Sequence, residues 1–491
     1  MKKNILFLLP LAFAACNDLD LEPVDSITTA RFFRSTADAQ ASVNAIYSAL
    51  TYEENSEQSL YGRNLNFLTD MPTDYHAAGA SAINANVRAL SAAAYDATND
   101  RVALAWKQIY RGINRANIAI DNIPNVSGEE HLKLRLIREA KFLRALLYFN
   151  AVRLWGNVPL VLHEAPSLET SILKAGRTPI DPVYHQIIED LSDAENLPLS
   201  YSGSDIGRAS AFAAKALLAK VYLTQKNYPA AADKAAAVIA SNSFDLFPHF
   251  ADAFKPATKN GIEHIFSAQF EDGQSGTIGN TGNTLPGAAL GQALANIQPA
   301  DIISDISFYN NYDDNDTRKY ATFITSITNP ASGEDFTYLI PRFAKYIDFE
   351  TFAAGKSQSA APVNYPIIRY ADVLLIHAEA LNEQYGFPTQ EAFRSINRVR
   401  RRAFGHPFDQ PSPADLPEDL DHNAFLRAIQ HERLLEFVQE GHRWFDLVRW
   451  GILEETVKPV KPAFSVRNYL FPIPQTQHDL NIQGLPQNPG Y

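Results

Sequence analysis

The sequence predicts a mainly α-helical protein whose paired helices form a scaffold and whose long irregular loops carry any ligand site. Three observations lead there. Apolar residues recur at steps of three and four over long stretches of the chain. Two segments repeat one helix-turn-helix unit, and residues 260 to 362 between them are rich in polar, turn-forming residues.

The first element is not part of the scaffold. Lys2 and Lys3 precede an apolar run, Ile5 to Ala15, broken only by Pro10. At about 1.5 Å per residue, so short a run cannot cross a hydrocarbon core of roughly 30 Å. A basic start, a short apolar core and small residues at its end, Ala14 and Ala15, instead describe a secretory signal peptide. Cys16, the single cysteine of the chain, follows immediately. That is where a bacterial lipoprotein is lipidated and cut, so Cys16 is read as a lipid anchor. Asp18, Asp20, Glu22 and Pro23 then suggest an extended tether.

Composition agrees. Hydrophobic residues make up 46% and charged residues 20%, as in ordinary globular proteins. No later stretch reaches eighteen uninterrupted apolar residues, so no membrane-spanning helix is expected. Removing Lys2 and Lys3 from the 43 basic residues leaves 41 against 55 acidic ones, a net charge of −14. That balance argues against a nucleic-acid partner. The one basic cluster, "RVRRRAF" (Arg398 to Phe404), ends a predicted helix, where cations favour the helix dipole.

The helices follow in order. "WKQIYRGINRANIAIDNIP" ends at Pro124. "LRLIREAKFLRALLYFNAVRLWG" lines up Leu136, Ala140, Leu143, Leu147, Ala151 and Leu154 before Gly156 and Pro159 stop it. "VYHQIIEDLSDAENLP" and "RASAFAAKALLAKVYLTQ" come next. Ala219 and Ala231 are twelve apart across a turn, and so are Ala380 and Ala392. Small residues at that separation let antiparallel helices touch, as in tetratricopeptide repeats. Polar loops are expected over Thr69 to Asp100 and within 260 to 362, where "FEDGQSGTIGNTGNTLPGAALG" (Phe270 to Gly291) lies.

The last long helix is "HERLLEFVQEGHRWFDLVRWG" (His431 to Gly451). Leu434, Val438, Gly441, Phe445 and Val448 predict one packed face. Glu436, Arg443, Asp446 and Arg449 predict a second face of surface ion pairs worth a few tenths of a kcal/mol each. "HERLL" lacks the second histidine of a zinc-protease HExxH, and no G-x-S-x-G occurs. Glu432, Glu436 and Glu440 share one face, too close-set to flank a glycosidic bond. No enzyme and no cofactor are expected.

This helix resembles the hallmark of the RagB/SusD family, E-R-x-x-E-x-x-x-E-G-x-R-x-x-D-L-x-R-W-G, here Glu432 through Gly451. "YPIIRYADVLLIHAEALNE", "INRVRRRA" and "LFPIPQTQHDLNIQGLPQNPGY" resemble the family's C-terminal half, and the stretches before Val161 its N-terminal half. The resemblance implies residues 1–15 as signal peptide, 16–35 as tether, 36–245 and 246–491 as the two halves, with variable loops over 260–362. It further implies a surface-exposed outer-membrane lipoprotein, with acids behind Cys16 associated with display on the outer leaflet. Its partner would be a SusC-like TonB-dependent transporter, to which it passes glycan, or peptide as in RagB-like members. A surface glycoside hydrolase or peptidase is the third possibility.

Glycan binders stack aromatic rings on the C–H faces of sugars while polar side chains take the hydroxyls. Trp106, Trp155, Trp444 and Trp450 all lie in helical motifs and are read as packing. The candidates are therefore Asp74, Tyr75 and His76 in "MPTDYHAAG", Tyr95 in "AAAYDATND", and Tyr309 and Tyr312 in "SFYNNYDDND". Asp313, Asp314 and Asp316 lack EF-hand spacing and are read as a charge-capping turn with Arg318 and Lys319. Replacing Cys16 with Ala is expected to abolish palmitate labelling and to leave the protein soluble or unprocessed; labelled protein still in the membrane fraction would refute the anchor.

Overall fold

Each long helix packs on the one that follows it in a continuous row. The helices are α1 (Thr36–Thr51), α2 (Asp100–Asn122), α3 (Glu130–Trp155), α4 (Ile180–Ala194), α5 (Ala211–Thr224) and α6 (Tyr228–Ala240). The row continues through α7 (Tyr370–Tyr385) and α8 (Gln390–Ala403); α9 (His422–Glu436) packs on α7, and α10 is Arg443–Trp450. The computed structural model describes residues 32–51, 58–165, 175–271, 299–330, 332–354 and 361–491. Cys16, most of the tether and most of the Gly/Asn-rich stretch lie outside the described residues.

Local sequence explains where the helices begin. Asn99, Ser210, Asn227, Thr389 and Asp421 each cap the backbone N–H groups of the helix that follows, as N-cap residues with short polar side chains do. Ala219, Ala231, Ala380 and Ala392 are fully buried, and α5–α6 and α7–α8 are the two expected antiparallel pairs. Helices α6 and α7 touch although more than a hundred residues separate them in sequence, so the intervening segment leaves the row and returns to it. The result is the tetratricopeptide-like scaffold that the alanine spacing predicts.

Strands are short and serve the loops. β1 (His76–Ala78) pairs antiparallel with β3 (Asp301–Ile303), β2 (His264–Ala268) with β6 (Tyr365–Arg369), and β4 (Phe323–Thr328) with β5 (Asp335–Phe343). Trp106, Trp155 and Trp444 are buried as packing residues, and half-buried Trp450 donates its Nε1–H to Glu379 at 2.8 Å.

The hallmark segment departs from expectation. It is not one helix: α9 ends at Glu436, the chain turns through Phe437 to His442, and α10 begins at Arg443. Gln439 and Gly441 have φ of +61° and +71°. A Cβ on Gly441 would stand 3.0 Å from the Tyr365 hydroxyl and 3.2 Å from Thr69 Oγ1. The glycine therefore serves a left-handed turn as well as the close approach of a neighbour.

Asp446 pairs with Arg449 at 2.9 Å as the spacing predicts, though largely buried, but the segment's glutamates do not form surface pairs. Glu432, Glu436 and Glu440 are buried among cations from four other parts of the chain. Glu436 accepts from Arg402 at 2.5 Å, Arg369 at 2.9 Å and Arg318 at 3.0 Å. Arg318 also reaches Glu432 at 2.6 Å, and Lys345 reaches Glu440 at 2.9 Å. Arg369 forks onto Glu440 at 2.8 Å and pairs with Glu263, which Arg402 meets at 3.1 Å. The basic cluster ending α8 is thus consumed by ion pairs, with Arg401 on Asp415 and Arg400 on Glu432, and is not explained by the helix dipole.

Burial pushes the Glu436 carboxyl up, but Arg402, Arg369 and Arg318 overcome this and hold it well below the usual range. Asp372 is likewise held down by Lys220, His442 and Arg433 against its burial. Asp446, also buried, is held at about 2 by Arg433 and Arg449. Stability from these three is present above their unfolded pKa values, about 4, and is lost as pH falls below that. Asp70 acts in the opposite sense, because burial raises it to about 6. Its contribution is present at low pH and lost as pH rises through about 6. The melting temperature is therefore expected to drop between pH about 5 and about 3. Glu436→Gln, which removes the carboxylate shared by three buried arginines while leaving each at least one other acid, should cost about 3 kcal/mol in denaturant titration at neutral pH.

Candidate functional site

The two polar loop regions, far apart in sequence, meet at the β1·β3 pair. His76 lies opposite Ile303 and Ala78 opposite Asp301, and Ser304 N donates to the Tyr75 carbonyl at 2.8 Å. Asp301, fully buried, pairs with Arg63, whose Nη2 is 2.9 Å from its Oδ1. Burial pushes Asp301 up, but Arg63 and His76 hold it well below the usual range. Lys461 closes the underside by donating to the carbonyls of His76 at 2.8 Å and Ser91 at 2.7 Å.

Beneath this junction is a separate aromatic core. Tyr75, Ile303, Phe308, Tyr312, Phe323 and Phe343 pack with Leu435 and Val438 of the hallmark segment. Tyr75 stacks on Phe308 with centroids 5.1 Å apart. Its hydroxyl donates to Asp70 at 2.6 Å and accepts from Gln439 N at 2.8 Å. The Tyr312 hydroxyl donates to the Leu435 carbonyl at 2.7 Å. His76 is fully buried beside Phe343, with Nε2 3.7 Å from Asp301. Tyr95 lies elsewhere, stacked on Phe471 and Tyr491 and bonded to the Asn468 carbonyl.

Tyr75, His76, Tyr95 and Tyr312 are each 2% exposed or less, so none presents a face to solvent. Their polar loops are real; their rings turn inward because a loop lying on a scaffold needs apolar plugs beneath it. The other two candidates are half-buried. Asp74 is held bidentate by Arg443 at 2.8 and 2.9 Å. Tyr309 packs edge-on against Phe323 and leaves part of its ring outside.

Tyr309 has a neighbour that the sequence reading missed. Lys319 Nζ lies 4.5 Å from the Tyr309 ring centroid and 2.6 Å from Asp314. Tyr320, 59% exposed, donates its hydroxyl to the Asp314 carbonyl at 3.1 Å. Asp314 raises the Lys319 ammonium, with both tyrosines adding to the effect. Two tyrosines thus flank one ammonium–carboxylate pair, and the exposed Asn310, Asn311 and Asn315 lie in the same stretch. Asp316 caps the short helix Thr317–Thr322 and pairs with Arg318, and Asp314 with Lys319, the charge-capping turn the spacing predicts. Exposed ring surface beside amides and paired charges is the chemistry that receives a polyhydroxylated ligand with apolar C–H faces.

A helical-repeat scaffold that carries a loop-built aromatic and polar surface defines a class of ligand-capturing proteins. Comparison with known proteins gives the family. The chain is 30% identical, over the whole length of both, to SusD-like protein P2 of Formosa agariphila. Residues 241–463 match the model of the SusD family, and residues 19–223 match one described as starch-binding associating with outer membrane. The crystal structure of a SusD homolog from Bacteroides thetaiotaomicron superposes with a TM-score of 0.82 at 26% identity, covering 94% of this chain and 98% of that one. A laminarin-binding SusD-like protein superposes with a TM-score of 0.75 at 26% identity, covering 94% and 100%. The chain belongs to the SusD family.

Tyr75 offers a direct check on the packing account. Tyr75→Ala is expected to lower stability by about 3 kcal/mol or more. Tyr75→Phe, which strands Asp70 and Gln439 N, should cost about 1–3 kcal/mol. Calorimetric melts decide between this and an unchanged melting temperature, which would place the ring outside the core.

Proposed function

We propose that this chain is a non-enzymatic, surface-exposed lipoprotein that captures oligosaccharide and delivers it to a SusC-like TonB-dependent transporter, anchored in the outer membrane through Cys16. The observation that carries the reading is the Tyr309–Lys319–Tyr320 surface. Two part-exposed rings that neighbour one paired ammonium suit a sugar better than they suit packing. Likeness along nearly the whole chain to a laminarin-binding protein supports carbohydrate as the ligand class. The family described as starch-binding and associating with outer membrane supports the address.

Absence of catalytic motifs supports capture without turnover: Glu432, Glu436 and Glu440, the nearest approach to a carboxylate cluster, are fully committed to arginine and lysine. Peptide is the competing ligand class, favoured by the burial of Trp106, Trp155 and Trp444 away from the surface.

Affinity electrophoresis against a glycan panel, beside a peptide library, identifies the ligand. Calorimetric titration of that ligand should then show Tyr320→Ala and Tyr309→Ala weakened roughly tenfold, about 1–2 kcal/mol each. The melting temperature of Tyr320→Ala should stay near wild type, because exposed substitutions typically change stability by less than about 0.5 kcal/mol. Wild-type binding by both variants would move the site elsewhere; products released from a labelled polysaccharide would overturn the non-enzymatic reading.

A further inference from the structure

A cleft of about 500 Å³ opens between the C-terminal end of α3, the start of α4 and the outer side of α10. It shares no residue with the Tyr309–Tyr320 surface. Its walls are mostly apolar, with Ile180, Phe445, Val448 and Leu470 among them. The charged residues that line it are Arg153, Arg177 and Arg449, and no aspartate or glutamate does, although the chain carries a net charge of −12.

The three arginines differ in their partners. Arg449 is neutralised by Glu379 and Asp446. Arg153 and Arg177 form no ion pair with a carboxylate among the described residues. Arg177 is fixed by uncharged acceptors: the carbonyls of Asn157 at 2.8 Å, Pro486 at 2.7 Å and Trp155 at 3.1 Å, and Asn488 Oδ1 at 2.6 Å. Arg153 is clamped between the rings of Phe149 and Phe445, whose centroids are 3.7 and 3.6 Å from its Cζ. It donates Nε–H to the Phe149 carbonyl at 2.9 Å and an Nη2–H to Asn150 Oδ1 at 2.8 Å. Three of its N–H groups therefore remain without a protein acceptor among the described residues. Burial pulls its pKa down to about 10, against the opposing pull of Tyr184, Tyr61, Asp446 and Asp372.

Arg153 has three N–H groups left to offer a ligand and Arg177 one, and an anion is the partner that completes such a donor set beside an apolar wall. We propose that this cleft is a second binding site, for a small ligand that carries one carboxylate or sulfate ester on a sugar-sized ring. Arg153 and Arg177 take the anion, and Phe445, Val448 and Leu470 take the ring. The volume lies within the range of small-molecule sites. This site stands independently of the reading given to the tyrosine surface.

Calorimetric titration of the purified protein with glucuronate, glucose 6-sulfate and glucose tests it. One or both acids should bind with a Kd of about 1 mM or tighter, and glucose at least about tenfold more weakly. Which acid binds identifies the anionic group. Ile180 is 43% exposed on the rim and is the first residue of α4, where an acid is tolerated. Ile180→Glu should weaken the acids roughly tenfold without changing the melting temperature, and Tyr320→Ala should leave them unaffected. Arg153→Gln should weaken them further if it folds; if it does not, Ile180→Glu decides. No heat from either acid at about 10 mM, equal binding of glucose, wild-type affinity in Ile180→Glu, or loss in Tyr320→Ala would each overturn the proposal.

Discussion

Glu436 is the point on which the architecture turns. One carboxylate, removed from water, holds arginines from α8, from β6 and from the segment between the two helical blocks. Desolvating so many charges recovers little net stability compared with an apolar core of the same size. What the arrangement supplies is uniqueness. Each guanidinium is shared by at least two acids of the cluster, so the inserted segment re-enters the helix row by satisfying several ion pairs at once. The turn after α9 extends the same logic, because Asn66, Asp70 and Tyr75 from the N-terminal half hold its backbone at Gln439 and Gly441.

Much of the scaffold was legible in the sequence because its signals are local. The stripe from Leu136 to Leu154, the stop at Gly156 and the paired alanines of α5–α6 and α7–α8 depend on spacing alone, and spacing survives folding. The hallmark segment was misread for the converse reason. Its three-and-four steps are also compatible with two helices and a turn, and only the contact with Thr69 and Tyr365 shows why Gly441 breaks the run. Its acids read as surface residues because their partners, Arg318, Arg369 and Arg402, lie 34 to 118 residues away.

The surface proposed for ligand was half legible. Polarity marked the stretches 69–100 and 260–362, which also hold short helices and strands, but not which way each ring faces. Tyr312 and Tyr309 differ by three positions, yet one seals the core and the other borders solvent. Tyr320 carries no sequence signal of its own, because it follows Arg318 and Lys319 in a stretch whose pattern is one of charge. Loops built this way separate two tasks. Rings that point inward hold the loop's shape, and rings that point outward are free to change with the ligand at little cost to stability.

The bond between Trp155 Nε1–H and the Pro472 carbonyl spans 317 residues, and Phe471 N caps the Leu154 carbonyl beside it. A state in which only the N-terminal half has folded therefore leaves the end of α3 without either partner. In such a state the helix terminus is unfinished and Trp155 keeps only its packing within that half, on Trp106. Closing so large a loop is also entropically slow, since long-range contacts form only after the chain has been brought together. The N-terminal half is thus completed by the last residues of the chain, and the protein finishes folding as one unit.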